Sequence, residues 1–588
     1  MVKLPAKREM EKRMWITSPV FIFFVVLLLT ACNSNTSDYS DIPNDSLTIA
    51  KGQLAFSQNC SACHNFRQNG IGPHLGGITR TVPSDWIKDF IKNPKALVDA
   101  GDERSQKLFA RYKTMMPSFG HYSDQELTGI VAYLHTHEAP DTTGTVAGGP
   151  EELKNPIPGP IQQSDLVVDV EYVTQIPASA EKGFKTRITK LDYIPTSQRL
   201  FIVDIRGKLH EMQNNQSRVY LDMAQLKSKF IDKPGLATGF GSFAFHPEFL
   251  KNGLLYTSHT EPAGTVKAEF GYADSIEVAL QWVVSEWKTE DPAAFPFKGK
   301  SRELFRIDMV TGMHGVQELT FNPNAKKGDE DYGLLYIGIG DGACVGSGYP
   351  FLVQNIEKPW GSILRIDPQG NNSRNKKYGI PATNPFIKHE NDQALGEMYA
   401  YGFRNPHRIT WSRSGQMLAS NIGQTQIESV NLIMPGNNYG WPIREGTFLV
   451  RPFADIAKVY ALPADDANYN ITYPAAQYDH DEGLAISGGF EYTGTAVPQL
   501  QGKYLFADMN NGRLYYLDLA DVKPGNITTI KEWKITFKGK QTSTAELCGS
   551  KRVDLRFGKD HKGDVYFFSK QDGKVWRLAS ANSPITGL

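Results

Sequence analysis

Cys60-Ser61-Ala62-Cys63-His64 puts two thiols in CxxC spacing with an imidazole directly after the second. That spacing suits covalent haem attachment: Cys60 and Cys63 form thioethers with the two vinyl groups, and His64 reaches the iron from the same side. The other chemistries open to CxxC are a thioredoxin-like redox pair and half of a zinc site. No βαβ pattern surrounds the motif and no second CxxC follows it, so haem c is the expected cofactor. A chain that carries a haem needs a second part that supplies or receives electrons.

The elements that position such a site have ample chain to draw on. At 588 residues, two or more domains are expected. Lys+Arg and Asp+Glu both number 63, which gives no support for nucleic-acid binding or for a polybasic membrane patch. With 53 Gly, 34 Pro and 11% aromatic residues, the composition favours a turn-rich β protein over a helical one. Of the five cysteines, Cys344 and Cys548 have no assigned use, and they could pair in an oxidising compartment.

The N-terminus carries Lys3, Lys7, Arg8, Lys12 and Arg13, then an apolar run from Val20 to Leu29. This is the pattern of an export signal, too short for a lasting transmembrane helix. The run ends Leu29-Thr30-Ala31-Cys32, which resembles a bacterial lipobox. The resemblance implies cleavage before Cys32 (a signal peptide over 1–31) and acylation of that cysteine, with firm anchoring by several acyl chains. Asn33 is not the aspartate associated with inner-membrane retention, so an outer-membrane lipoprotein facing the periplasm or the cell surface is expected. Residues 32–45 read as a polar tether.

Residues 46–137 form a compact segment that resembles a class I cytochrome c, a small all-α fold. Leu47 to Asn59 reads as a helix leading into Cys60. Tyr112-Lys113-Thr114-Met115-Met116-Pro117-Ser118-Phe119 resembles that family's methionine loop, where a thioether is the usual sixth iron ligand. Met116, beside the proline, is the expected axial ligand and Met115 the alternative; His121, His135 and His137 are further candidates better suited to the surface. Ser123 and Glu126 form a capping box ahead of an apolar stripe of Leu127, Ile130, Val131 and Leu134.

Residues 138–163 are rich in Thr, Gly and Pro and read as a linker. From 164 to 588 an irregular repeat recurs: an apolar strand, a Gly/Asn/Asp turn, a second alternating strand. Instances are 191–212, 243–258, 319–342, 409–423, 488–517 and 555–578. Asn252-Gly253, Asn511-Gly512 and Asp572-Gly573 read as type I′ hairpin turns. Six such units without intervening helical pattern predict an all-β six-bladed β-propeller. The stretches 261–300 and 370–396 read as long loops on one face, where substrate sites tend to lie.

Several segments of this part resemble the soluble quinoprotein glucose dehydrogenase, aldose sugar dehydrogenase and glucose/sorbosone dehydrogenase group. They are Phe243-Ala244-Phe245-His246-Pro247, Gly340-Asp341-Gly342, Gly402-Phe403-Arg404-Asn405-Pro406 and Asn431-Leu432-Ile433. Asn438-Tyr439-Gly440-Trp441-Pro442, Tyr478-Asp479-His480-Asp481-Glu482-Gly483 and Ser487-Gly488-Gly489 continue the series. The resemblance implies a propeller with pyrroloquinoline quinone on one face and calcium beneath it. It implies His314 as the base that takes a substrate hydroxyl proton, and Asp341 as the carboxylate that orients it. Arg404 and Asn405 match the pair that holds the quinone, and a guanidinium beside an amide suits developing negative charge. Gly423 and Gln424 match calcium ligands, with Glu428 and Asn431 supporting their loop. The family commonly has a polar residue before its base, whereas Met313 stands here. Arg513 is a further cation that could meet a quinone carboxylate or a surface acid.

Two functions are consistent with these readings. One is a lipid-anchored dehydrogenase of sugars or related alcohols, which passes electrons to haem c and then to a soluble cytochrome or a respiratory complex. The other is a carbohydrate- or protein-binding propeller with an independent electron-transfer cytochrome c domain. A base facing a quinone cradle separates them.

Overall fold

The computed structural model describes residues 42–60, 64–67, 69, 72–112, 115–139 and 151–582. Cys32 and Cys63 lie outside the described residues.

The first part is helical: α1 (Ser46–Asn59), α2 (Ser84–Lys92), α3 (Pro94–Asp99), α4 (Glu103–Tyr112) and α5 (Asp124–His135). Asp45 caps α1 by accepting from Thr48 N at 2.9 Å, and Ser123 with Glu126 forms the expected capping box on α5. Helices α1 and α5 cross where Gly52 meets Gly129. A β-carbon on Gly52 would stand 1.8 Å from Gly129 O, so only glycine permits that approach. The stripe Leu127, Ile130, Val131 and Leu134 then packs with Phe56, Ile87 and Ile91 into one apolar cluster.

The β-rich part is built of four-stranded antiparallel meanders spanning 188–222, 240–309, 316–401, 406–479 and 486–537. The last meander, 555–582, has three strands of its own, and its fourth is supplied by Gln162–Gln175 from the far end of the chain. The leading strand of each meander lies against that of the next, and Leu555–Lys559 returns to Ile188–Tyr193, where Gly558 pairs with Leu191. A β-carbon at Gly558 would come within 2.5 Å of Leu191 Cβ, so this pairing needs a bare backbone. Strands Leu200–Asp204, Leu335–Ile339 and Ser362–Ile366 are buried throughout. Neighbouring meanders cover both their faces, which is why they read as apolar runs without alternation.

Three expectations are corrected, and the pairing of Cys344 with Cys548, which the sequence left open, is answered. Residues 261–300 are not one loop: they contain Leu280–Lys288, the third strand of its meander. At 252–253, 511–512 and 572–573 only the glycine is left-handed (φ 66, 75 and 75), whereas a type I′ turn needs both residues so. Cys344 and Cys548 are both free thiols, the first fully buried. The strand Gln162–Gln175 starts inside the predicted linker, and Leu153 N already bonds Val459 O at 3.0 Å, so these described residues of the linker are docked on the β-rich part.

Candidate active site and haem segment

In an antiparallel meander the start of the first strand sits beside the end of the second. His314 precedes the strand Val316–Phe321, and Asp341 follows its partner Leu335–Ile339. Arg404 and Asn405 precede Pro406–Trp411, and Gly423 follows Met417–Asn421. Topology thus gathers all of these residues at one end of two adjacent meanders. The junctions are hydrogen-bonded: Asp341 N donates to Arg404 O at 2.8 Å, Gly342 N to His314 O at 3.2 Å and Ile422 N to Asn405 O at 3.2 Å.

His314 is buried, with φ of +48, in a left-handed conformation uncommon for a side-chain-bearing residue. Gly340 accommodates it, since a β-carbon there would lie 2.2 Å from His314 O. His314 Nδ1 is 2.9 Å from Asp341 Oδ1. An ionised carboxylate only accepts, so Nδ1 carries the hydrogen and Nε2 presents its lone pair. Nε2 forms no hydrogen bond among the described residues. Asp341 is fully buried and fully engaged: Oδ1 also accepts from Ala343 N at 2.8 Å, and Oδ2 from Trp441 Nε1 at 3.0 Å. Burial favours its neutral form, yet the hydrogen bond and charge of His314 and the charge of Arg404 hold its pKa below the usual carboxylate value. Burial first, and then the Arg404 charge, depress the pKa of His314 despite Asp341. The imidazole is therefore held neutral and able to take a proton.

Arg404 is buried. Its Nε donates to Gln424 Oε1 at 2.7 Å and its Nη1 to Gly423 O. The backbone carbonyl of Gly423, expected to hold calcium, thus holds a guanidinium here, whereas Gln424 meets Arg404 through its side-chain oxygen and not through the backbone carbonyl expected as a ligand. Gly423 N donates to both oxygens of Glu428 at 3.2 Å, and Glu428 Oε1 receives His480 Nε2 at 3.0 Å, so Glu428 supports the loop as expected. Asn431 does not: its side-chain amide bonds Ser429 Oγ at 3.1 Å. Arg513 is paired with Glu482 and Glu532, at 2.6 and 2.7 Å. The Asn405 side chain makes no hydrogen bond among the described residues.

Two participants were missed in the sequence. Trp441 was visible only as part of a motif, and its indole N–H on Asp341 carries no sequence signal. Glu445 Oε1 accepts from four consecutive amides, Gln424, Thr425, Gln426 and Ile427, at 2.6 to 3.1 Å, and so fixes the loop under Arg404. A small polar cavity lies between Arg404, Asn421, Gly423, Asn431, Arg444 and Glu445.

In the helical part, His64 Nδ1 lies 2.9 Å from Pro73 O. A carbonyl accepts, so here too the hydrogen sits on Nδ1 and Nε2 is available to a metal. Gly72 lies directly on the ring, where a β-carbon would come within 2.4 Å of His64 Cε1. Cys60 is buried, and Met116 packs against the same apolar cluster. These residues fit a covalently held haem.

A family model for glucose/sorbosone dehydrogenase matches residues 188–577, two thirds of the chain. The chain belongs to the glucose/sorbosone dehydrogenase family. A cytochrome c model matches residues 49–138, so this member of the family carries a cytochrome c domain ahead of its dehydrogenase domain. Quinoprotein glucose dehydrogenase B of Acinetobacter calcoaceticus is 25% identical over 333 residues, 51% of this chain and 60% of that protein. Human Hedgehog-interacting protein is 26% identical over 408 residues, 66% of this chain and 50% of that protein. The chain spans about half the length of that relative and of the HIPL1 and HIPL2 proteins of Arabidopsis thaliana. The solved apo structure of aldose sugar dehydrogenase from Escherichia coli superposes with a TM-score of 0.50 at 18% identity. That match covers 71% of this chain and all of the other, and it shows a shared fold.

Proposed function

We propose that the protein is a quinone-dependent dehydrogenase of aldoses or related alcohols, with its meanders forming the blades of a six-bladed β-propeller. The observation that carries this reading is the buried His314–Asp341 pair with Arg404 beside it. A binding surface has no use for a neutral imidazole whose Nε2 is left open and whose Nδ1 is fixed by a fully satisfied carboxylate.

His314 Nε2 takes the proton of the substrate hydroxyl, and Asp341 holds the ring and stabilises the imidazolium that results. Pyrroloquinoline quinone, when bound, supplies the two-electron acceptor for the hydride that leaves carbon. Arg404 and Asn405 are the residues proposed to hold it: both are buried, one is cationic, and the other has an unengaged amide. Gly423 and Gln424 remain the proposed calcium ligands. Binding there requires the Arg404 guanidinium to give up Gly423 O, because a divalent cation and a guanidinium repel at that distance.

His64 and Met116 would ligate a haem c in the cytochrome c domain, and that haem would supply a one-electron outlet toward a soluble cytochrome or a respiratory complex. Acylation at Cys32 would place the enzyme on the outer membrane. The likeness to Hedgehog-interacting protein favours a second reading, a binding module with an independent cytochrome. The deciding experiment reconstitutes purified protein with pyrroloquinoline quinone and calcium and follows dye reduction with aldoses and polyols. Quinone-dependent turnover supports the dehydrogenase, and failure to bind quinone supports the binding module.

A further inference from the structure

Among the described residues, the contacts between the cytochrome c domain and the β-rich part include two made by arginines. Arg67, three residues after His64, lays its stem across Gly348, where a β-carbon would stand 2.6 Å from Arg67 Cδ. Its guanidinium carbon lies 4.9 Å from the centroid of the Tyr349 ring. Arg111, just ahead of the methionine loop, places Nη2 2.7 Å from Asp455 Oδ2. Tyr112 Oη donates to Asn69 Oδ1 at 3.0 Å and so ties the end of α4 to the segment after His64.

Each contact ends a segment rooted in the candidate active site. From Asp341 the chain turns through Gly342 and Ala343, both left-handed (φ 62 and 55), and Tyr349 N bonds back to Cys344 O at 2.8 Å. After Asp455, the carbonyls of Ile456 and Ala457 accept from Thr425 Oγ1 at 3.2 Å and Gln426 Nε2 at 3.0 Å. Those residues belong to the loop whose Gly423 and Gln424 hold Arg404. One contact therefore leads to the partner of the candidate base and the other to the candidate quinone cradle.

The chemistry of the contacts is that of a weak encounter. The side chains of Arg111 and Asp455 are 46% and 19% exposed, so salt screens their attraction. Small charged interfaces of this kind suit redox partners that must separate again.

We propose that Arg67–Tyr349 and Arg111–Asp455 form an intramolecular docking surface that seats the segment after His64 and the end of α4 against the segments supporting the active site, and that high ionic strength releases it. Its purpose rests on the dehydrogenase reading. With both cofactors bound, each docked transfer would move one electron from the reduced quinone to haem iron(III), giving iron(II), and an external one-electron acceptor would reoxidise the iron between the two transfers that clear the pair taken from one substrate molecule.

The test uses the full haem-loaded chain as wild type, Arg111→Glu, Asp455→Arg and the double swap. Hydrogen exchange at 341–349 reads docking without the quinone, and stopped-flow absorbance with quinone and aldose reads haem reduction beside dye reduction. Each single reversal should speed exchange and slow haem reduction about tenfold, as like charges placed across an interface do, with dye reduction unchanged. The double swap should restore both toward wild type. Unchanged exchange in the single variants, or no rescue in the double, overturns the proposal. If wild type reduces no dye, the dehydrogenase reading falls, and the exchange data still decide the docking.

Discussion

The amide of Asp341 donates to the carbonyl of Arg404 at 2.8 Å, which locks the orienting carboxylate and the candidate quinone cation into one junction between adjacent meanders. His314 joins them through the side chain of Asp341 at 2.9 Å. Base, orienting acid and cation therefore move as a unit, and substitutions at the three should prove non-additive in rate.

Replacing His314 with alanine should lower quinone-dependent sugar oxidation by about 10²- to 10⁴-fold, the range for losing a positioned base. The haem spectrum should not change, because His314 lies in the β-rich part. Steady-state dye reduction beside an absorption spectrum checks both outcomes.

The pH profile carries its own sign. A base must be unprotonated to act, and burial and Arg404 hold His314 below the usual imidazole pKa. The acidic limb of kcat/KM should therefore lie below about 6.5. Arg404→Gln removes a depressing charge and should move that limb to higher pH; Asp341→Asn removes a raising charge and should move it lower while also slowing the reaction. Limbs that stay put in both variants would assign the titration to another group.

The sequence showed most of this architecture and less of its wiring. Spaced motifs revealed CxxCH, the capping box at Ser123 and Glu126, and the recurring strand pairs, because each follows from local chemistry. The strand Leu280–Lys288 was hidden inside a polar, aromatic stretch, and only pairing with its neighbours on both sides makes it a strand. The ties from Trp441 to Asp341 and from Glu445 to residues 424–427 span loops. They depend on where the backbone returns, which periodicity cannot carry. Arg513 was ambiguous in sequence for the same reason, since Glu482 and Glu532 reach it from other strands.

Trp441→Phe keeps an aromatic ring at this buried position and deletes the hydrogen bond to Asp341 Oδ2. A bond to a charged group is worth about 1.5–3 kcal/mol, but Asp341 retains its contacts to His314 and Ala343. Activity should fall by roughly tenfold, a loss of about 1.4 kcal/mol, with circular dichroism unchanged.

Met116→Ala should lower the haem reduction potential and alter the spectrum, since a thioether ligand raises the potential. Met115→Ala should do neither. The reverse pattern in a redox titration would exchange their roles.

Gly52→Ala introduces a carbon 1.8 Å from Gly129 O at the crossing of α1 and α5. Overpacking of that kind costs about 1–3 kcal/mol. Thermal unfolding followed through the haem should shift to lower temperature, while apo-protein quinone binding stays intact.

The most direct test of a dehydrogenase with haem c as its electron outlet is haem absorbance in the full-length, haem-loaded protein, with calcium and an aldose, before and after pyrroloquinoline quinone is added. Such an enzyme should show haem reduction that needs both sugar and quinone and that disappears in the His314→Ala variant. Haem that stays oxidised while the wild type binds quinone and sugar, or reduction that persists without His314, would contradict it.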